Sequence, residues 1–351
     1  MIELGFWKNL PKPFFCLAPM ADVTDCAFRY LIAKYSGDAR PTERSFGRVF
    51  FTEFVSADGL AHFEAKKKLI IDLKYGKNEH PIVAQIFGSN PENIKKAARL
   101  CKKLGFDGID INMGCPDRAV EKQCAGAAMM KDHKLAKEII QAAKEGAPDL
   151  PISVKTRLGY NKIETETWIP ALLEEDLAAL SIHLRTRKEM SDTPAHWEVV
   201  KRIVEIRNQM NKSTLIIGNG DVKDLEEAGE KAKEYGCDGI MLGRAIFGNP
   251  WLFANSQLMN ADKKLISPDE SIGVDQNKIS VSQRLVTLVE HTKLFEKMLG
   301  KHKNFAIMKK HFKAYANGFE GAKELRMKLM ETENAKEVEK ITLKFLENNI
   351  Q

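Results

Sequence analysis

Four segments in the middle of the chain, PISVKTRLG (151–159), AALSIHLRTR (178–187), STLIIGNGDV (213–222) and CDGIMLGRAIF (237–247), share one form. Each opens on a short apolar run and closes on Gly, Asn, His, Lys or Arg. Helix-period patterns over Trp197–Gln209 and Lys223–Tyr235 separate the later ones. A short apolar run followed by a helical stretch is the unit of a parallel sheet covered by helices. The runs Phe14–Ala18, Phe50–Phe54, Ile82–Phe87, Gly108–Asn112, Ile152–Thr156, Leu180–Leu184, Leu215–Gly218 and Gly239–Gly243 read as strands. Asn93–Leu104 and Lys134–Lys144 read as further helices. Eight such units predict an α/β fold, a closed (β/α)8 TIM barrel rather than an open sheet. The second unit is the least regular, because 36–48 is polar and reads as a loop insertion.

After Trp251-Leu252-Phe253 the rhythm stops, and Ser256–Ser280 is polar, with Pro268 and Gly273. Helix periodicity then returns: Leu285, Leu288, Val289, Thr292, Phe295, Met298 and Leu299 share a face, and Phe305, Met308, Phe312 and Tyr315 share another. The expected organisation is a barrel over 1–255, a linker over 256–280 and a C-terminal helical-bundle domain over 281–351.

The 351 residues, 44% hydrophobic and 29% charged, exclude a disordered or fibrous chain. No apolar run approaches the roughly 20 residues of a membrane span. The opening Met1-Ile2-Glu3-Leu4-Gly5 has no basic region before an apolar one, so a secretory leader is not expected. The six cysteines (16, 26, 101, 115, 124 and 237) include no Cys-x-x-Cys pair, which argues against a metal site or disulfide frame and fits a cytoplasmic protein. Between Lys301 and Lys328, eight Lys or Arg face only Glu320 and Glu324, an excess equal to the chain's net charge of +6. Such a window is either a solvated helix face or the footprint of a phosphate-rich partner.

Chemistry in such a barrel sits at the C-terminal strand ends. In order these give Ala18-Pro19-Met20-Ala21, Gln85, Asn112-Met113-Gly114-Cys115-Pro116, Lys155 and Arg157, His183 with Arg185 and Arg187, Gly218-Asn219-Gly220-Asp221, and Gly243-Arg244. Amide, lysine, histidine and arginine groups dominate, with few carboxylates, so paired-carboxylate hydrolysis and a metal centre are poorly supported. The ring suits a large planar anionic ligand such as a flavin. Lys155 and His183 can face its polar edge, and the glycine-rich loops of the last two strands can cradle a phosphate with Arg244. Lys155 needs a compensating anion or carboxylate if its strand is covered on both faces. Cys115, on a loop at the barrel mouth, can donate a proton or attack as a nucleophile.

LAPMADVTDCAFR (17–29), VAQIFG (83–88), GIDINMGCP (108–116), CAGAAMMKD (124–132), SVKTRLG (153–159), IHLRTR (182–187), IGNGDV (217–222) and GIMLGRAIFGNPWLF (239–253) together resemble the tRNA-dihydrouridine synthases, and MKKHFKAYANG (308–318) is similar to that family's tRNA-binding domain. The resemblance implies reduction of a uridine in tRNA by FMN, itself reduced by NADPH or NADH. It implies Pro19, Met20 and Ala21 beside the flavin ring, and Gln85, Lys155 and His183 at its polar edge. Asn219, Gly220, Asp221, Gly243 and Arg244 would hold the ribityl phosphate, Cys115 would be the general acid, and Asn112 would hold the uracil. Arg157 and Arg187 would contact the substrate. Lys309, Lys310 and Lys313 would bind the tRNA body, with the free protein a monomer and neither metal nor membrane involved. Two departures stand out: Leu184 where the family's motif has glycine, and the insertion PTERSFGR (41–48). A flavin barrel acting on a small molecule would share the phosphate loops but would not need the basic helices.

Overall fold

The computed structural model describes residues 4–36, 48–254 and 279–349. Nearly all of the expected 256–280 linker and 41–48 insertion therefore lies outside the described residues. Eight parallel strands form the barrel: β1 (Phe14–Leu17), β2 (Arg48–Phe51), β3 (Ile82–Phe87), β4 (Gly108–Met113), β5 (Ile152–Arg157), β6 (Ala179–His183), β7 (Leu215–Asn219) and β8 (Gly239–Leu242). Neighbours pair from β3 round to β8, then β8 with β1 and β1 with β2, and β2 pairs with β3 to close the ring. A two-residue strand, Val55–Ser56, adds to the edge of β3. β1, β2, β3, β4, β7 and β8 are buried throughout, as strands covered on both faces must be.

The second strand begins two residues earlier than its apolar run. Arg48 is buried within it, its guanidinium over the Phe50 ring, while Phe54 leaves the strand and packs against Phe87. Burial alone pushes the Arg48 pKa down to about 10.

The helices start and stop where local chemistry requires. Helix α1 (Cys26–Tyr35) is capped by Asp25, whose carboxylate accepts the N–H groups of Ala27 and Phe28. Asn90 caps α2 (Pro91–Leu104), with proline in its first turn, and Gly105 ends it at φ +84°. α3 (His133–Gly146), α4 (Thr165–Leu173), α5 (Val199–Gln209) and α6 (Leu225–Tyr235) follow β4, β5, β6 and β7.

The chain divides into two compact units. Among the described residues, the barrel unit holds 4–19, 48–74 and 80–243; the second holds 20–36, 75–79, 244–254 and 279–349. Helix α1 thus belongs to the second unit. There Arg29 and Glu79 form a fully buried ion pair, Nε to Oε2 2.6 Å, and Arg29 also donates to the Thr24 carbonyl at 2.7 Å. Removing either partner strands a buried charge, at a cost of about 3–5 kcal/mol.

The second unit also contains α7 (Val281–Leu299), α8 (Lys309–Tyr315), α9 (Ala322–Met330) and α10 (Ala335–Asn349). Ser280 and Gln283 form a reciprocal capping box at the start of α7. Its expected face is buried except for Met298. Two histidines are sealed in this unit. His291 stacks on Phe28 with centroids 4.6 Å apart, and His311 meets both rings edge-on. Both histidines are fully buried, and neither ring nitrogen of His311 has a hydrogen-bond partner among the described residues. Burial therefore holds both imidazoles neutral, pushing His311 down to about 3 and His291 well below its ordinary value.

Candidate active site

Strand register sets the site. Lys155 lies level with Asn112 and Ser181, and His183 lies level with Arg157 and Asn219. Lys155 on β5 reaches Asn219 on β7, Nζ to Oδ1 3.4 Å, past the intervening strand. That bond crosses the barrel interior, so this set of alternating residues faces inward.

A polar chain leads from the interior to Cys115. Ser153 Oγ donates to Asp110 Oδ1 at 2.6 Å, and Gln85 Nε2 donates to Asp110 Oδ2 at 2.7 Å. Asn112 Nδ2 donates to Gln85 Oε1 at 3.0 Å. Asn112 Oδ1 then accepts the backbone N–H groups of Gly114 and Cys115 at 3.1 and 2.9 Å. Burial raises Asp110 to about 6, against the opposing pull of Ser153, Gln85 and the Lys155 charge.

The loop after β4 is braced from several directions. Arg157 Nε donates to the Gly114 carbonyl at 2.9 Å, and its Nη1 donates to the carbonyls of Thr186 and Met190. The Ala127 N–H donates to the Cys115 carbonyl at 2.8 Å. Gly126, at φ +59°, makes the close approach possible, because a Cβ there would stand 2.7 Å from the same carbonyl. Cys115 is half-buried, and burial pushes its thiol pKa up although Lys155 and Arg157 pull it down. Cys16, Cys26, Cys101 and Cys237 are buried, and Cys124 is exposed.

Lys155 is partly buried. Desolvation, then repulsion from Arg157, lowers its pKa to about 8. Ser181, its neighbour on β6, is fully buried, with its hydroxyl unpartnered among the described residues.

His183 Nε2 lies 3.1 Å from Arg185 Nη1, and Arg185 is ion-paired with Asp221. Asp221 also accepts the Ala195 N–H at 2.9 Å. Gly220 sits at φ +138°, where a Cβ would lie 2.8 Å from that of Ala195, and its carbonyl accepts from the Trp197 indole. Leu184 is fully buried and donates its backbone N–H to the Asn219 carbonyl at 2.9 Å.

Arg187 pairs with Glu121 and lies over the Tyr160 ring, 5.4 Å from its centroid. Pro19 and Gly243 belong to the barrel unit; Met20, Ala21, Arg244 and the α8 lysines belong to the second. In that unit Lys310 approaches Asp22 at 3.3 Å, while Lys313 is exposed and Lys309 half-buried. Sequence reasoning gave no role to Asp110, Ser153 or Arg185. Their signal was the period of two, since each stands two positions from Asn112, Lys155 or His183 on the same strand or its extension. Glu121 and Tyr160 gave none.

Among the described residues, no three or more His, Cys, Asp or Glu are grouped to hold a metal ion. Nor is any helix long and apolar enough to cross a membrane.

The fold resembles that of the 6-hydroxypseudooxynicotine amine oxidase from Pseudomonas geniculata N1, with a TM-score of 0.51 and 11% identity over 71% of this chain and 47% of that one; the likeness is one of fold alone. Among curated sequences, a probable tRNA-dihydrouridine synthase of Staphylococcus aureus (strain Mu50) is 41% identical over 335 residues, 95% of this chain and 93% of its own. Probable tRNA-dihydrouridine synthase 2 of Bacillus subtilis (strain 168) is 39% identical over 336 residues, 95% of this chain and 94% of its own. The family model for dihydrouridine synthase matches residues 16–351, and on that extent of agreement the chain belongs to the dihydrouridine synthase family.

Proposed function

We propose that this chain reduces a specific uridine of tRNA to 5,6-dihydrouridine, with FMN as bound cofactor and NADPH or NADH as reductant. The observation that carries the mechanism is Cys115: a half-buried thiol on the loop after β4, packed beside Phe87, Val120 and Ala125 and raised in pKa by burial. Such a thiol stays protonated at neutral pH, which favours the proton donor over the nucleophile.

The barrel residues fit a flavin. The Lys155 ammonium, lowered to about 8 by burial, gains from a nearby anion or electron-rich carbonyl, and the orphaned Ser181 hydroxyl is a further interior donor. The tight backbone at Gly220 leaves no room for a Cβ and suits a phosphate-binding turn. In this reading Gln85, Lys155 and His183 hold the polar edge of the ring. Asn219, Gly220, Asp221 and Gly243 hold the phosphate. Asp221 contributes through its backbone, because Arg185 already holds its carboxylate. Pro19 would join this set, and Met20 and Ala21 next to it in the chain, with Arg244 next to Gly243, are proposed from their chain positions alone.

A bound flavin would supply hydride to uracil C6. Cys115 would deliver the proton to C5. One Asn112 Nδ2 hydrogen goes to Gln85, and the other is available to a uracil carbonyl. Arg157 serves the substrate by holding the loop that carries Cys115, and Arg187 does so through Glu121. A base stacked in folded RNA must be extruded to reach this depth, at a cost of a few kcal/mol that phosphate contacts offset. Lys309, Lys310 and Lys313, in a helical tRNA-binding domain over 281–351, provide such contacts.

The test is to map dihydrouridine in tRNA from cells with and without the gene for this chain. Loss of the modified base at a defined position is expected, and an unchanged pattern would overturn the proposal.

A further inference from the structure

We infer that Asp110 is a positioning residue: through the side-chain amides of Gln85 and Asn112 it fixes the backbone on which Cys115 is presented. The inference rests on the proposed role of Cys115 and adds a residue to it. An ionised carboxylate only accepts hydrogen bonds. Gln85 must therefore turn its NH2 toward Asp110, which leaves its oxygen facing Asn112. Asn112 must in turn offer its NH2 to Gln85, so its oxygen faces the N–H groups of Gly114 and Cys115. Each amide could otherwise flip; the backbone N–H groups of the loop, which only donate, set the sense at the outer end, and the acceptor-only carboxylate locks it at the inner end. All of these side chains are buried, so water does not offer them alternative partners.

The groups facing Asp110 are Gln85 from β3, Ser153 and the Lys155 ammonium from β5, and the Cys16 thiol from β1. With burial raising it to about 6, Asp110 is mainly ionised at pH 7 and becomes a donor below that. A protonated carboxyl accepts Gln85 in either sense. The grip on the loop therefore weakens as pH falls through 6.

Amide hydrogen exchange at Gly114 and Cys115, in the full chain with intrinsic rates divided out, reads this directly. In the wild type, protection should be high at pH 7 and should drop as pH falls through about 6. In Asp110→Asn, whose amide both donates and accepts, protection at pH 7 should fall roughly tenfold, as the loss of one hydrogen bond implies, with no step near pH 6. Ser153→Ala removes one donor to the carboxylate and should move the step to higher pH, which keeps the test available if Asp110→Asn folds poorly. Uridine reduction by Asp110→Asn should show a lowered kcat with KM for tRNA unchanged. Wild-type protection in Asp110→Asn, or an unmoved step in Ser153→Ala, would overturn the inference. If the exchange results hold while the wild type reduces no uridine, the proposed reaction fails and the positioning role stands.

Discussion

Lys155→Met tests the flavin reading at its most charged contact. In the protein without ligand, the ammonium is depressed from 10.5 to about 8, first by desolvation and then by Arg157. The interval of about 2.5 units corresponds to roughly 3 kcal/mol between its two protonation states. Lys155 keeps some access to solvent, so that figure is a ceiling. An electron-rich group bound beside it would restore part of the shift. Linkage then fixes the sign. Below pH 8 the lysine is charged before and after binding, and affinity is at its maximum. Above pH 8 the free protein has lost the proton and must take it up on binding, so affinity falls, by up to about tenfold per unit, toward the restored pKa. Methionine keeps the length of the side chain and removes the charge. Fluorescence titration of FMN from pH 7 to 9.5 should therefore show wild-type affinity dropping above pH 8. The variant should bind on the order of a hundredfold more weakly at pH 7, with no slope. Equal affinities at pH 7, or the same slope in both proteins, would refute the reasoning.

Reversing Lys309, Lys310 and Lys313 to Glu should weaken tRNA binding and flatten its salt dependence, the logarithmic slope shrinking by about 0.7–0.9 for each phosphate no longer neutralised; filter binding across a salt series measures it, and unchanged affinity returns that helix to a solvated face. The buried His311 predicts acid sensitivity. Its neutral form is favoured in the fold, so its contribution is complete above pH 6.5 and is lost as pH falls toward 3. At pH 5 the loss is about 2 kcal/mol, and urea titrations at pH 7 and 5 should show it in the wild type and reduce it in His311→Phe.

The barrel was legible because covered parallel strands must be apolar, and the eight runs mark them. The most displaced strand, β2, shows the limit of that signal. Arg48 enters the sheet as a buried cation over Phe50, and an apolar-run criterion passes over it. The tip residues Lys155, His183 and Asn219 were legible from their positions at strand ends. What they bond to was not, because Lys155 meets Asn219 only once the sheet has closed. The same holds for the chain from Asp110 to Cys115. It depends on the β3–β4 and β4–β5 registers, which no local pattern encodes. The buried pair His291 and His311 was illegible for another reason. A histidine among apolar residues and lysines reads equally well as surface, and only the packing of Phe28 against both rings decides it.

In the proposed reaction a protonated Cys115 completes the reduction of a single uracil. Single-turnover oxidation of the prereduced, flavin-loaded enzyme by unmodified tRNA tests it most directly in Cys115→Ala. A rate lower by roughly 10²–10⁴ is expected, with flavin and tRNA binding retained. A variant that forms dihydrouridine at the wild-type rate would contradict it.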